Sequence, residues 1–224
     1  MEVVARCRRE VAEVAAARLV AARTEADLGQ LLADVAASVE RTLLAHRPPG
    51  APAPACGRGC ATCCVLNVAT LPVEGAAIAA HLRAGVTDAQ AQARAAELAA
   101  FGDRVRWLGD RERAAHRLTC RFLDPAGGCS VYPVRPLACR SASSLDAAAC
   151  REALGGDEDE AVVVMDTLQK VLYDEARHAV AEVLAARGLD ARRRDVSAMS
   201  AAFLADPAAA GHFLGGGMLP LDPA

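Results

Sequence analysis

The chain has 224 residues, which suits one domain with a full hydrophobic core and excludes the small disulfide-stapled classes. Its 53 alanines account for much of the apolar fraction of 53%, so the composition favours helices around a thin core of larger side chains. A net charge of −3 and an aromatic content of 3% argue against a nucleic-acid partner, because phosphates attract positive charge and single strands need aromatic platforms.

The sequence predicts no membrane contact, since no run of about 18 uncharged apolar residues occurs in it. Charges interrupt the opening MEVVARCRREVAEV, so we expect no secretory signal and a cytoplasmic location. That compartment opposes stable disulfides, and nine cysteines there are typical of metal or redox chemistry.

Residues 1–47 are predicted to form a helical hairpin. Apolar residues recur every three or four positions in the first helix, which places Cys7 on its packing face. Thr24 and Asp27 have the spacing of an N-terminal capping box and predict the start of the second helix. The proline-rich segment 48–54 cannot continue that helix and predicts a semi-rigid linker.

Further helices are predicted after the linker. One covers residues 72–82, and a long one starts at the capping pair Thr87 and Gln90. Two more are predicted, one that follows the acidic run 155–160 and ends before Gly188, and one at 196–205. The charged residues near the end of the long helix are expected on a solvated face; they are Arg104, Asp110, Glu112 and Arg113.

The one strand signal is at residues 119–132, where two glycines follow the strand-like stretch CRFLD and predict a short hairpin. Together these elements predict a mainly α fold, a helical bundle framing a cysteine-rich metal site with one short β-hairpin. The predicted division is a helical hairpin at 1–47, a cysteine-cluster domain at 55–188 and a C-terminal extension at 189–224.

Eight of the nine cysteines form the candidate metal site. The first four are Cys56, Cys60, Cys63 and Cys64, in a loop whose glycines let the backbone wrap thiolates around a centre. The other four are spaced by about ten residues, so only a folded scaffold brings them together; they are Cys120, Cys129, Cys139 and Cys150.

The spacing favours an iron–sulfur cluster, as a 4Fe–4S centre, over zinc. Zinc ribbons normally have two separate C-x-x-C pairs, and here only Cys60 and Cys63 have that spacing. An all-thiolate set suits either metal, and none of the five histidines lies at ligand spacing from another. Eight thiols allow two four-ligand sites or one cluster with spare redox cysteines, and both alternatives stay open.

The stretch CSVYPVRPLACR surrounds two of these cysteines with prolines that stiffen the chain. Arg135 and Arg140 are candidates to offset the negative charge of several thiolates through charge-assisted hydrogen bonds. Together with Tyr132 they are the residues that we expect next to the ligands.

The pattern C-x3-C-x2-CC at residues 56–64, followed by CRFLDPAGGCSVYPVRPLACR and Cys150, resembles the YkgJ-like cysteine-cluster family. That family is also called the CxxCxxCC zinc- or iron-chelating domain, and the resemblance covers residues 56–150. It implies that all eight cysteines are ligands in a metal-chelating protein, often described as an iron–sulfur oxidoreductase without an established reaction. A similar branch, the flagellin lysine N-methylases, uses the motif in an enzyme.

Three functions follow as alternatives, and the favoured one is electron transfer with a redox protein partner. The second is an S-adenosylmethionine-dependent enzyme of the methyltransferase kind or of the radical kind, whose motif Cys56, Cys60 and Cys63 formally match. Thr62 replaces the usual aromatic of the radical motif, and neither repeated strands nor a glycine-rich cofactor loop is predicted. The third is a zinc-stapled structural or adaptor protein with a thin core.

Overall fold

The computed structural model describes residues 1–57, 59–155 and 162–220, and it begins with the predicted helical hairpin. α1 (Glu2–Ala21) and α2 (Glu25–His46) pack together across a short connection. The Thr24 hydroxyl accepts a hydrogen bond from the Asp27 N–H at 3.2 Å, and the Asp27 carboxylate accepts one from the Thr24 N–H at 2.9 Å. Cys7 is 2% exposed, so its predicted packing role is confirmed.

The rest of the described chain is also mainly helical, which confirms the predicted class. Its α-helices are α3 (Pro72–Arg83), α4 (Asp88–Val105), α5 (Asp110–Ala115), α6 (Leu137–Ser141), α7 (Ala147–Gly155), α8 (Thr167–Ala186), α9 (Val196–Ala205) and α10 (Ala209–Leu214). Two 3₁₀ turns are formed by Thr62–Val65 and Tyr132–Val134. α4 begins at the predicted Thr87–Gln90 capping box, and α9 has the predicted bounds.

The short β pairing joins two distant segments. β1 (Ala69–Thr70) pairs antiparallel with β2 (Arg194–Asp195). The predicted hairpin at 119–132 contains one isolated antiparallel bridge, between Leu123 and Cys129, around a tight turn. β1 and β2 are more than a hundred residues apart in the sequence. The pattern of residues around either strand therefore does not predict their pairing.

Close helix packing depends on two glycines that face α9. A Cβ atom at Gly75 of α3 would lie 2.5 Å from Met199 Cγ, and one at Gly102 of α4 would lie 2.8 Å from Ala198 Cβ. Both distances are shorter than side chains tolerate, so α9 approaches α3 and α4 this closely only because these positions lack a side chain.

One residue predicted on a solvated face is buried. Arg113 is 0% exposed, whereas Arg104, Asp110 and Glu112 are exposed as predicted. The expectation is wrong at Arg113 because tertiary partners compensate its charge.

Those partners come from three parts of the chain. The Arg113 guanidinium lies 5.3 Å from the Phe101 ring centroid and donates to Asn67 Oδ1 and Asp195 Oδ2 at 3.2 and 3.1 Å. It therefore joins α5 to the segment that follows Cys64 and to the N-cap of α9.

The C-terminal helices share the apolar core with the N-terminal hairpin. The core contains buried residues from Cys7 to Leu219, and the division at 1–47, 55–188 and 189–224 stays a prediction. The acidic run lies outside the described residues except for residue 155, and α8 begins later, with Asp166 as its N-cap. No described helix has the length and apolar character that a membrane span requires.

Candidate metal centre

The eight candidate ligands lie on loops and short turns rather than on the long core helices. All are free thiols; Cys56 and Cys63 are exposed and the other six are partly buried. Cys139 lies on α6, which has five residues, and Cys150 on α7, which has nine. Helices this short are not stable alone, so the positions of these sulfurs depend on tertiary contacts.

The first cysteine loop is a series of tight turns. The Cys60 N–H donates to the Gly57 carbonyl at 3.0 Å, and the Cys64 N–H donates to the Ala61 carbonyl at 3.0 Å. Gly59 has a φ of +88°, in the left-handed region that favours glycine. Glycine therefore permits the turn that precedes Cys60.

Ser144 attaches Cys56 to the segment that leads into α7. The Ser144 N–H donates to Cys56 Sγ at 3.3 Å, and the Ala55 N–H donates to the Ser144 carbonyl at 2.7 Å. Two residues on, the Asp146 carboxylate accepts the first free N–H groups of α7, among them that of Ala148 at 2.7 Å. These contacts hold Cys56 beside the helix that carries Cys150.

The pKa of the Cys56 thiol depends on the same neighbours. Burial raises the pKa of its thiol, the hydrogen bond from the Ser144 N–H lowers it, and repulsion from nearby thiols raises it further. The repelling thiols belong to Cys60, Cys63 and Cys150.

A second turn connects Cys120 to Cys129. The Cys120 N–H donates to the Cys64 carbonyl at 2.7 Å, which joins this turn to the first loop. The Asp124 carboxylate accepts the N–H groups of Ala126 and Gly128 at 2.9 and 2.7 Å and closes the turn.

Glu74 fixes the position of α6 and was missed by the sequence reasoning. Its side chain is 0% exposed, and its two carboxylate oxygens accept the N–H groups of Leu71 at 2.6 Å and Leu137 at 2.7 Å. Burial raises the pKa of this carboxyl. A glutamate in the first turn after Leu71-Pro72 signals the local bond, but the bond to Leu137 is a tertiary contact that no local pattern predicts.

Cys63 and Cys64 lie next to each other in the 3₁₀ turn Thr62–Val65. The Cys64 thiol donates to the Cys63 sulfur, which lowers the pKa of Cys63 and raises that of Cys64. Repulsion from two further thiols, those of Cys120 and Cys139, also raises the pKa of Cys64.

Arg135 supplies positive charge to these sulfurs. Its Nε is buried and has no hydrogen-bond partner in the described parts of the chain, and its guanidinium lies 4.5 Å from the centroid of the half-exposed Tyr132 ring. Its charge adds to the hydrogen bond from Cys64 in lowering the pKa of Cys63. Burial raises the pKa of the Cys129 and Cys139 thiols, and the charge of Arg135 offsets part of that rise.

Arg140 makes other contacts. It donates to the carbonyls of Arg135 at 3.1 Å and Pro133 at 3.0 Å and forms an ion pair with Glu40 at 3.2 Å. It therefore braces the turn that carries Arg135 and attaches it to α2.

The chemistry of the donor set fits a soft metal. Thiolates bind zinc and iron, and a buried guanidinium N–H without a partner suits a negatively charged thiolate centre. In the parts of the chain that the structure describes, no group of three or more His, Cys, Asp or Glu side chains is already arranged to hold a metal ion. Holding a metal would therefore require the cysteine side chains to rearrange.

A helical scaffold that carries eight free thiols on loops and short turns is typical of a cysteine-rich metal-binding domain. Residues 55–164 match the family model described as "CxxCxxCC: Putative zinc- or iron-chelating domain", the family that the cysteine motif resembles. The matched range contains all eight candidate ligands and excludes Cys7. No curated protein and no solved structure matches the chain.

Proposed function

We propose that this chain is a cytosolic iron–sulfur protein that passes electrons to a redox protein partner. The observation that carries the proposal is the packing of separate cysteine segments against one another: the Cys120 N–H bonds to the Cys64 carbonyl at 2.7 Å, and the Ser144 N–H bonds to Cys56 Sγ at 3.3 Å. An iron–sulfur cluster supplies reversible one-electron chemistry, and the ligand assignment for all eight cysteines is part of the proposal.

Two features favour iron over zinc. The ligand spacing is irregular, with a C-x-x-C pair only at Cys60 and Cys63, and iron–sulfur centres accept such spacing. Arg135 places a buried N–H without a partner near the thiols, and hydrogen bonds to cluster sulfurs are a main control of reduction potential.

The exposure of Cys56 and Cys63 favours electron transfer to a protein. Both lie at the surface, where a docked partner can approach the metal. Tyr132, beside Arg135, is 55% exposed and gives the same region an aromatic contact for that partner.

The direct test is purification without oxygen, followed by analysis for iron, zinc and acid-labile sulfide and by visible spectra before and after dithionite. We expect iron with matching sulfide and an absorption band that dithionite bleaches. Cys60→Ser and Cys63→Ser should lose most of the metal, and the buried control Cys7→Ser should lose none. Equal metal content in all three variants would refute the ligand assignment.

A zinc-stapled structural protein is the second candidate, and the shortness of α6 and α7 favours it. Structural zinc contributes about 10–16 kcal/mol of apparent binding free energy in zinc-finger peptides, enough to order segments with few other contacts. Near-stoichiometric zinc without colour in the same experiment would replace the electron-transfer proposal with this one.

A further inference from the structure

We infer that Arg113 is a positioning residue for the candidate metal centre: its guanidinium holds the segments that carry Cys64 and Cys120 in a fixed position relative to each other and to α9. The inference rests on the proposed metal binding. Arg113 is 0% exposed, and its hydrogen bonds go to groups that are not candidate ligands. It therefore sets where the two cysteine segments lie and leaves their thiols free to rearrange around a metal.

The first contact of the guanidinium fixes the chain that follows Cys64. Arg113 Nη1 donates to Asn67 Oδ1 at 3.2 Å, and Asn67 lies three residues after Cys64. Two further bonds hold Asn67 in place, since its Nδ2 donates to the Leu108 carbonyl at 2.9 Å and its N–H donates to Asp110 Oδ1 at 2.7 Å. The exit of the 3₁₀ turn is thereby attached to the start of α5.

The second contact fixes the chain that leads to Cys120. Arg113 Nε donates to the Leu118 carbonyl at 3.2 Å, and the Leu118 N–H donates to the Arg113 carbonyl at 3.0 Å. Between these residues Arg117 has a φ of +49°, in the left-handed region that favours glycine after a helix end. The two bonds between Arg113 and Leu118 hold this strained turn closed, so the chain leaves α5 in a fixed direction towards Cys120.

A backbone bond between the two cysteines completes the arrangement. The Cys120 N–H donates to the Cys64 carbonyl at 2.7 Å. Together with the bonds from Arg113 to Asn67 and Leu118, it closes a ring of three hydrogen bonds that contains the chain segments 64–67 and 118–120. Arg113 is the member of the ring that joins one segment to the other through a side chain.

Asp195 anchors this ring to the helical core. Its Oδ2 accepts a bond from Arg113 Nη1 at 3.1 Å, and its Oδ1 accepts the Ser197 N–H at the start of α9 at 2.8 Å. A planar guanidinium presents its donors in fixed directions, which suits acceptors on three different segments. A lysine keeps the charge without this geometry, so Arg113→Lys separates positioning from charge.

Asn67→Ala and Asn67→Asp form the matched pair that tests the ring at an exposed residue. Alanine removes both the acceptor for Arg113 and the donor to Leu108, whereas aspartate removes only the donor. In the full-length protein purified without oxygen, hydrogen exchange of the Cys120 amide should be about two- to tenfold faster in Asn67→Ala, the factor expected for one lost hydrogen bond. It should stay at the wild-type rate in Asn67→Asp.

Arg113→Lys tests the same ring together with metal binding. Exchange of the Cys120 amide should speed up more than in Asn67→Ala, because two bonds of the ring are lost, and bound metal should pass to a chelator faster than from wild type. Gln92→Ala is the control; it loses only an exposed amide bond to the Ala205 carbonyl and should leave both rates unchanged. Circular dichroism checks the fold of each variant, and the two Asn67 variants decide the inference if Arg113→Lys does not fold.

Equal Cys120 exchange in wild type and Asn67→Ala would overturn the inference, as would equal acceleration in Asn67→Ala and Asn67→Asp. A folded Arg113→Lys that releases metal at the wild-type rate would also overturn it. A wild type purified with neither iron nor zinc would instead refute the proposed metal binding, and the exchange rates would still decide whether the ring holds the two segments.

Discussion

The helical core (α1–α4, α8 and α9) and the cysteine segments (residues 55–66 and 118–150) are held in place by different interactions. The core helices have 10 to 22 residues and bury apolar side chains along their contacts, such as Leu28 and Phe203 at 0% exposure. The cysteine segments contain short helical turns and few large buried apolar side chains; these are Leu118, Phe122, Val131 and Leu137. We infer that burial of apolar surface folds the core, and that metal binding completes the order of the cysteine segments.

The largest expected effect comes from a cavity in the core. Phe203 is fully buried, and its ring meets that of Phe213 edge to face at 6.1 Å. Phe203→Ala should lower the free energy of unfolding by about 3–5 kcal/mol, as measured by denaturant titration with circular dichroism. Trp107→Ala is the control, because Trp107 is 82% exposed. A core variant as stable as the control would contradict the proposed role of the core.

Glu74→Gln tests the connection between the two regions. A glutamine side chain has one carbonyl oxygen, so the N–H of either Leu71 or Leu137 loses its acceptor in a buried place. We expect a loss of about 1.5–3 kcal/mol in the free energy of unfolding, measured by denaturant titration. Glu13→Gln, at an exposed position of α1, is the control; equal losses of stability in both variants would contradict a special role of Glu74.

The Glu74→Gln variant also tests how the stability of the protein depends on pH. Burial raises the folded-state pKa of Glu74, so the folded state holds this proton more tightly than the unfolded chain does. Stability contributed by this proton is present at low pH and is lost as pH rises through the raised pKa. The stability of wild type relative to Glu74→Gln should therefore increase on acidification from neutral pH towards the ordinary carboxyl pKa. An unchanged difference across that range would show that the folded-state pKa is not raised.

Gly102→Ala tests how closely the core helices pack. The added methyl group would lie 2.8 Å from Ala198 Cβ. Such overpacking lowers the free energy of unfolding by about 1–3 kcal/mol. The higher helix propensity of alanine offsets ~0.5–1 kcal/mol of that loss. Thermal unfolding should show a lower midpoint. Gly211→Ala is the matched control, because nothing lies within 4 Å of a Cβ there and its midpoint should not fall.

The smallest effect is expected for Arg135→Gln in the metal-free protein. Removal of the guanidinium raises the pKa of Cys63, so less thiolate is present near neutral pH. The rate of alkylation at Cys63, followed by peptide mass spectrometry across pH, should have its midpoint at higher pH than in wild type. Arg187→Gln, which loses only a bond to the Ala16 carbonyl, should not move the midpoint. An Arg135→Gln profile that coincides with the wild type would exclude the charge of Arg135 as a cause.

Local signals predicted much of the core from the sequence. The capping pairs at Thr24 and Thr87 and the apolar periodicity reported helix starts and faces, because these depend on neighbours within one or two turns. The bounds of α9 follow from the same kind of pattern. The resemblance of the cysteine motif predicted the family that residues 55–164 match.

Contacts between distant residues escaped the sequence reasoning. Arg113 carries the local pattern of a solvated face, yet Asn67 and Asp195 approach it from other parts of the chain and permit its burial. The bond from the Leu137 N–H to the Glu74 carboxylate likewise joins residues that are far apart in the sequence. The order of the cysteines around the Cys63–Cys64 pair also depends on tertiary contacts, since spacing alone left one site and two sites equally open.

Amide hydrogen exchange of the full-length protein, with its metal and after anaerobic chelation, tests the central claim most directly. The account predicts that chelation removes protection in the cysteine segments, while the buried amides of α2 and α9 in the helical core keep theirs. The same protection pattern in both states, or loss of protection throughout the chain at once, would contradict the claim that metal orders one region and apolar burial the other.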